Sequence, residues 1–467
     1  MHVTYLILGN SAAGVSAAEA IRETDALGSI AIASPEPYPA YGRPLISYLL
    51  EGKTSFERIG YKDDAFYERL NITALLGEGH EAKSLDSDAH RVAFADGSSI
   101  TYERCLVATG SIPFTPPIDG LNEARNKTTF LTLDDALKAN ELAKEARNAA
   151  DKEKRESNAV VIGAGLIGLK AAEALSHLVD NVLVLELAPR ILPAVLDDEG
   201  ASLLQHKLKQ HRIVCRPGVS ASKVICNSSG IATEMLLTDG TTVPCDFVVA
   251  AVGVRPNTAF VVEAGAQQGR GLVCDKSLQT SLPDVYAAGD VVQVTDALDG
   301  SQRPLALWPN AVRQGAIAGR HMANNPDAEA FESSFAVNAV DFFDISLLTA
   351  GVINPPADDA SIQCDIRFDE DAGTYAKFVT REGFLIGYIL LNRPDNAGIY
   401  TALIEKKTPL ESVDAAMFDQ APLNYDFDEE TRWERLHACY PTNRTRLGFA
   451  REEAPCKPPQ REGKAEQ

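Results

Sequence analysis

The sequence predicts an α/β chain: two strand–turn–helix modules, each built around a glycine-rich turn, followed by a smaller α+β region. Three observations carry this reading. The segment VTYLILGNSAAGVSAAEAI lies near the start of the chain and SNAVVIGAGLIGLKAAEAL begins at Ser157, so one pattern recurs about 150 residues later. In each, a short run rich in β-branched residues ends at a glycine and gives way to an alanine-rich helical pattern, the context in which such glycines acquire meaning. From about residue 331, alternating strands such as YAKFVT (375–380) and FLIGYILL (384–391) precede a helical stretch near 397–405.

The first turn offers Gly9, Ser11, Ala12, Ala13 and Gly14; the second offers Gly163, Gly165, Leu166, Ile167 and Gly168. The first glycine of such a turn makes the tight reversal, the second lets backbone approach a pyrophosphate, and the third lets helix and strand pack closely. The helix N-terminus then presents free N–H groups and the positive end of its dipole. Ser11 stands where the second copy has Gly165 and is small enough to serve as a variant. An acid follows each module near the end of the next apolar run: Glu36 lies 22 residues past Gly14, and Glu186 lies 18 past Gly168. A carboxylate there accepts hydrogen bonds from an adenosine ribose. Glu186 would accept from a 2′-hydroxyl and repel a 2′-phosphate, which favours NADH over NADPH; Arg190, four residues on, is the residue that could receive a phosphate instead.

Residues 1–118 read as the first module, with a helical stretch near 64–70 and a hairpin over ITALLGEGHEAKSLDSDAHRVAFADGSSITY. The proline-bearing FTPPIDG (114–120) reads as a crossing between domains. A long charged helix follows, LDDALKANELAKEARNAADKEKRES, whose last dozen residues show little apolar period and read as a solvated face or flexible insertion. Residues 119–254 form the second module, ending in CDFVVAAVG and VRPN. SLQTSLPDVYAAGDVVQ and LWPNAVRQGAIAGRHMA then look like a return to the first module, so that 119–254 would be inserted between 1–118 and 255–330. Residues 331–425 form the α+β region, a cap or dimer platform, and 426–467 an acidic extension whose tail, 451–467, is expected to be disordered.

The 44 basic and 65 acidic residues leave a formal charge of −21, which argues against nucleic-acid binding. No apolar stretch approaches the ~18–20 residues of a membrane span and no export signal is visible, so a cytoplasmic location is expected. The eight cysteines are scattered without C-x-x-C, and histidines 80, 90, 177, 206, 211, 321 and 437 lack ligand spacing, so no metal is expected.

Five motifs in order, GNSAAG (9–14), ATGSIP (108–113), GAGLIG (163–168), VGVRPN (252–257) and YAAGD (286–290), carry a family resemblance. The chain resembles the two-dinucleotide FAD/NAD(P)-dependent pyridine nucleotide-disulfide oxidoreductase superfamily, most of all its NADH–rubredoxin reductase and nitrite-reductase flavoprotein group, over about residues 1–410. The resemblance implies two Rossmann-like domains, the NAD domain inserted in the FAD domain, plus the α+β interface domain. It implies that Asp290, after Gly289, receives the ribityl hydroxyls of FAD, that Glu36 holds its adenosine ribose, and that Arg43 and Pro44 pass along it. Thr109 and Gly110 would approach the same cofactor, and Ala82 and Gly253 join the expected cofactor contacts. A carboxylate can accept from two hydroxyls, and the same side chain could also cap a following helix, the ligand role being the favoured one. Trp308 falls in the segment near the flavin ring, with core packing the equal alternative. Lys170 departs from the glutamate that many relatives carry at this point, so their charge arrangement on the nicotinamide side does not transfer.

Thiol-relay members of the superfamily need a redox cysteine in the segment after the first ribose acid. Here that segment, YPAYGRPLISYLLEGK (38–53), contains none. Without a thiolate there is no nucleophile for a disulfide or peroxide. What remains is hydride transfer from NADH to FAD, with the protein positioning both, and no catalytic side chain is assigned. The expected outlet is a small electron carrier such as a rubredoxin or ferredoxin, or a partner redox subunit. The alternatives are an NADH oxidase using oxygen and a nucleotide-sensing interaction protein or flavin subunit of a larger complex. A homodimer face is a further role open to 331–425.

Overall fold

The computed structural model describes residues 1–369, 372–419, 423, 426 and 427, arranged as two compact units that divide between Ala336 and Val337. The expectations for 428–467, the disordered tail included, lie outside the described residues.

In the first unit the opening strand His2–Leu8 lies at the centre of a parallel sheet, between Ile30–Ser34 and Ser99–Val107. Ile30–Ser34 is buried at every position, as a strand covered on both faces must be. Ile72–Leu76 adds parallel to its outer side. This corrects the hairpin expected from residue 72: only Ala82–Asp86, Arg91–Phe94 and Ser99–Val107 form an antiparallel meander, while Ile72–Leu76 belongs to the parallel core. The cause is the turn at Glu78–His80, which redirects the chain before the meander starts. The long strand Ser99–Val107 divides its partners, pairing with the meander at its start and with Val285–Ala287 at its end.

A second parallel sheet runs in the order Ile213–Pro217, Asn181–Glu186, Asn158–Ile162, Phe247–Ala250, Lys127–Thr128. A three-stranded antiparallel sheet (221–226, 232–237, 242–244) packs on it through Val224, Met235, Leu237 and Val248. Ser111–Pro113 and Val254–Pro256 pair antiparallel as a thin ribbon. The charged helix is continuous over Leu133–Glu153 and opens with a capping box at Thr132 and Asp135. Of its last dozen residues (146–157), 147, 148 and 151–156 are exposed, as a solvated face, while Ala146 and Ala150 are buried and tie the helix to the body. Alanine gives a weak apolar signal between charged neighbours, yet suits close helix packing.

The second unit is a five-stranded antiparallel sheet ordered 337–342, 345–351, 384–391, 374–381, 362–369. The helix Gly398–Lys406 lays Tyr400 against Phe378 and Tyr388, with ring centroids 5.0 and 5.8 Å apart.

Candidate nucleotide site

The two glycine turns are superimposable in their constraints. Gly9 and Gly163 both have positive φ, +128° and +104°, and a Cβ on either would sit 2.0 or 2.4 Å from the carbonyl oxygen of Ala108 or Ala251. Gly14 and Gly168 in turn ride directly over Gly9 and Gly163, where a Cβ would come within 2.0 Å of their carbonyl oxygens. Each turn therefore presses helix and two strands into contact. Around Gly165, by contrast, nothing lies within 4 Å of a built Cβ, and Ser11 holds the matching N-cap position. Neither the helix Ala12–Thr24 nor Leu166–Leu175 has a side-chain cap, so the amides of Ala12 and Ala13 and of Leu166 and Ile167 belong to first turns free to meet an anion.

Asp290 sits at the same end of the first sheet, past Val285–Ala287 and Gly289. Its Oδ2 accepts from the Ser111 hydroxyl at 3.0 Å. Desolvation by burial raises the Asp290 pKa, opposed by the Ser111 hydrogen bond and the positive charge of Arg43. No helix follows it; the chain turns and enters Val294–Thr295, so a cap for a following helix is ruled out as its role. Gly289 donates its N–H to Gln314 Oε1 at 2.7 Å, tying this turn to the helix Trp308–Met322.

Glu36 lies two residues beyond its strand and is engaged by the protein itself: Tyr41 donates to Oε2 at 2.6 Å and Arg43 pairs with Oε1. The Tyr41 hydroxyl also receives the N–H of Leu133, and Arg43 Nη1 reaches Leu131 O at 3.3 Å. Two of about four carboxylate lone-pair positions remain for a ribose. Pro44 is exposed beside Arg43. Thr109 Oγ1 donates to Asn257 O at 2.7 Å, and Gly110 takes φ +66°. Ala82 begins the meander, partly buried against the core of the first sheet.

Trp308 opens the last helix of the first unit, partly buried and edge-on to Tyr61 with centroids 4.9 Å apart. That helix lies on Ala12–Thr24 more closely than side chains permit: a Cβ on Gly315 would be 2.1 Å from Ala13 O, and one on Gly319 2.5 Å from Ala17 O. The sequence reading missed both residues. The Gly-x-x-x-Gly spacing within RQGAIAGR was the available signal, since two such glycines share one helix face.

On the second module, Glu186 braces the turn, accepting from Ala164 N and Ala188 N, each at 2.8 Å. Arg190 is held by Leu196 O at 3.1 Å and Asp198 at 3.1 Å. Gly253, with φ +121°, accepts from Phe114 N at 3.0 Å beside the ribbon. Lys170, one turn into Leu166–Leu175, pairs with Glu173, lies 3.7 Å from Glu51 and stands over the Tyr48 ring at 5.0 Å. Glu51 and Glu173 side chains are 0% and 1% exposed, and Lys53 closes the group on Glu51. This cluster joins the segment carrying Arg43 to the second glycine helix.

Burial pushes the thiols of Cys215 and Cys274 up to about 12, and raises those of Cys105 and Cys245 further. None of these four is a thiolate near neutral pH. Among the described residues no group of His, Cys, Asp or Glu is placed to hold a metal ion.

Paired turns of this build, each on a sheet with a parallel core, match the architecture of oxidoreductases with two dinucleotide-binding domains. The chain belongs to the pyridine nucleotide-disulphide oxidoreductase family, whose pattern matches residues 3–315. It is 30% identical over 410 residues to the NADH-dependent phenylglyoxylate dehydrogenase subunit epsilon of Aromatoleum evansii, covering 88% of this chain and 93% of that protein. It is 29% identical over 412 residues to the nitrite reductase [NAD(P)H] of Bacillus subtilis (strain 168), covering 87% of this chain and 47% of that longer protein. Among solved structures it resembles the ferredoxin reductase for the CYP199A2 system from Rhodopseudomonas palustris, with TM-score 0.75, 25% identity and coverage of 88% of this chain and 96% of that one. The protein is an NAD(P)H-dependent FAD oxidoreductase. No helix of the described residues is long and apolar enough to cross a membrane.

Proposed function

We propose that this protein takes a hydride from NADH onto FAD and hands the electrons to a separate redox protein, a small carrier or a partner subunit. FAD occupies the first module, with its pyrophosphate on the turn Gly9–Gly14, its ribityl hydroxyls on Asp290 and its adenosine ribose on Glu36. The nicotinamide dinucleotide lies on Gly163–Gly168, with its ribose at Glu186. FAD supplies the chemistry of accepting two electrons together and releasing them singly; the chain binds, orients and shields. The observation that carries this reading is the pair of constrained turns joined to a segment, 38–53, that holds no cysteine. The subunit and ferredoxin-reductase names of two relatives support an acceptor that is itself a protein. The six described cysteines are all free, three of them buried, which fits a reducing compartment.

Anaerobic stopped-flow with NADH tests the proposal. Fast bleaching of the bound flavin, followed by reoxidation with an added ferredoxin or rubredoxin, is the expected result. Slow bleaching coupled to a change of assembly would replace it with a nucleotide sensor; in a separate aerobic assay without added carrier, rapid oxygen uptake that accounts for the NADH consumed would replace it with an oxidase.

Asp290→Ala should lose most of the flavin. Hydrogen bonds to a charged group contribute about 1.5–3 kcal/mol each, so affinity should fall roughly tenfold to a hundredfold or more. Full flavin retention through gel filtration would contradict the ribityl assignment. Hydroxyl donors favour the ionised carboxyl, whereas burial favours the protonated one, so flavin affinity should rise as pH climbs through the raised Asp290 pKa. Asp290→Asn should flatten that dependence.

Glu186→Ala should narrow the preference for NADH over NADPH by about tenfold, the worth of one such hydrogen bond at about 1.5 kcal/mol. Steady-state kcat/KM for both cofactors measures this, and an unchanged ratio removes Glu186 from cofactor choice.

A further inference from the structure

The helix Leu133–Glu153 is tied at its two ends to different modules. Past its far end, beyond the left-handed Lys154, Arg155 grips Asp246 with two nitrogens at 2.7 and 2.9 Å, and Asp246 also receives the N–H of Asn158 at 2.8 Å. Asn158–Ile162 is the strand that delivers Gly163, so this end belongs with the second glycine turn. At the near end, the N–H of Leu133 is one of the opening amides that a helix cannot satisfy from within. Leu133 is 1% exposed, and its N–H donates at 3.0 Å to the hydroxyl of Tyr41, itself 7% exposed. The same hydroxyl donates to Glu36 Oε2 at 2.6 Å. A tyrosine hydroxyl has a single proton to give, and burial raises the Tyr41 pKa and keeps that proton in place. The proton therefore lies toward Glu36 and a lone pair toward Leu133.

We infer that Tyr41 is a positioning residue that passes the filling of the first nucleotide site to the start of this helix, and so sets how the second module stands for hydride transfer. The inference rests on the assignment of the FAD adenosine ribose to Glu36. Tyr41 and Arg43 hold that carboxylate from the protein side. Ribose hydroxyls donating to its remaining lone pairs fix it from the other side. A fixed carboxylate in turn fixes the Tyr41 hydroxyl, because linked hydrogen bonds polarise and orient one another. Leu133 then meets its acceptor in one defined place. A helix of 21 residues is a rod about 30 Å long, so a tilt about its start is magnified where it hands over to the strand leading to Gly163. Two neighbouring contacts flank this tie. Arg43 Nη1 donates to Leu131 O by a longer bond of 3.3 Å, and the Tyr38 hydroxyl donates to Asp134 at 2.6 Å without passing through Glu36.

The test is hydrogen exchange at Leu133, read by mass spectrometry on the full-length holoprotein with FAD in excess. Tyr41→Phe keeps the ring and removes the hydroxyl, and a buried N–H left without its acceptor should exchange roughly fivefold to a hundredfold faster. Glu36→Ala removes no atom that the Leu133 amide touches, yet should speed the same amide about threefold to tenfold, the worth of one weakened hydrogen bond. The two changes together should exchange no faster than Tyr41→Phe alone, since the effect of Glu36 travels through the hydroxyl already removed. At saturating NADH, flavin reduction in Tyr41→Phe should be about tenfold slower with NADH affinity unchanged, as a misplaced but intact site requires. Tyr38→Phe should not slow it. Amides of 146–150 exchanging at the parental rate separate this from a lost fold, and if Tyr41→Phe does not fold, Glu36→Ala alone still decides. Weaker FAD binding in Glu36→Ala with Leu133 at its parental rate, effects that simply multiply in the double variant, or equal slowing in Tyr38→Phe overturns the proposal. Unchanged FAD affinity in Glu36→Ala removes the ribose from Glu36, and the proposal then falls with that assignment rather than at Tyr41.

Discussion

Gly315→Val is expected to give protein that folds poorly and carries little or no flavin. The helix Trp308–Met322 rests on Ala12–Thr24 along Gly315 and Gly319, where even a single added carbon would sit 2.1 or 2.5 Å from a backbone oxygen. Backbone cannot move aside as a side-chain tip can, so the helices must separate. Overpacking of this kind costs about 1–3 kcal/mol, and a branched side chain against a carbonyl lies at or above the top of that range. The larger consequence is functional. Ala13, the residue struck, is in the first turn of the glycine helix, and Gln314, its neighbour's anchor, holds the Gly289 amide next to Asp290. One substitution therefore displaces both the proposed pyrophosphate turn and the proposed ribityl acceptor. Gly319→Ala should do less damage, because Ala17 lies a turn farther from the binding edge. Gly398→Ala, with open space around it and ordinary φ, should leave melting temperature and flavin content unchanged. Absorbance of bound flavin per protein and thermal melts check all three, and a holo Gly315→Val protein of normal stability would show that the helix contact does not set the site.

The α/β class was legible because both turns combine a β-branched run, glycines at fixed offsets and an alanine-rich helix, and these constraints are local. What the sequence could not supply is pairing between distant segments. Ile72–Leu76 has the same short apolar pattern whether it closes a hairpin or joins a parallel sheet, and only the chain's path after Glu78–His80 decides. Ser111 was visible as part of ATGSIP, yet its hydroxyl on Asp290 joins residues 179 apart. Gly315 and Gly319 were marked in the sequence only by their Gly-x-x-x-Gly spacing, which puts them on one helix face but does not say which helix they meet. Glu36 was legible as an acid at a strand end. Its engagement by Tyr41 and Arg43 was not, since that depends on how 38–45 folds back over it.

Lys170→Met should cost about 3–5 kcal/mol, the usual penalty for removing one partner from a buried charge group. Lys170 is 13% exposed between Glu173 at 1% and Glu51 at 0%, so no solvent replaces the missing ammonium. Lys53 is half exposed and also reaches Glu51, so the loss of the Lys170 ammonium takes a partner from each of two buried carboxylates. The group spans two functional stretches: Tyr48 and Glu51 follow the Arg43 segment, and Lys170 and Glu173 ride on the second glycine helix. Loosening it should therefore slow flavin reduction at saturating NADH more than it weakens NADH binding, because the distance between the two sites is disturbed while each site keeps its own contacts. A general packing defect would lower stability without that split. Lys170→Met combined with Glu173→Met supplies the control, since replacing both members of a buried pair with apolar side chains of similar volume is often neutral or stabilising. Stability should return in the double variant. If the single variant melts with the parent and reduces its flavin at the parental rate, the cluster neither holds the two segments together nor sets their spacing.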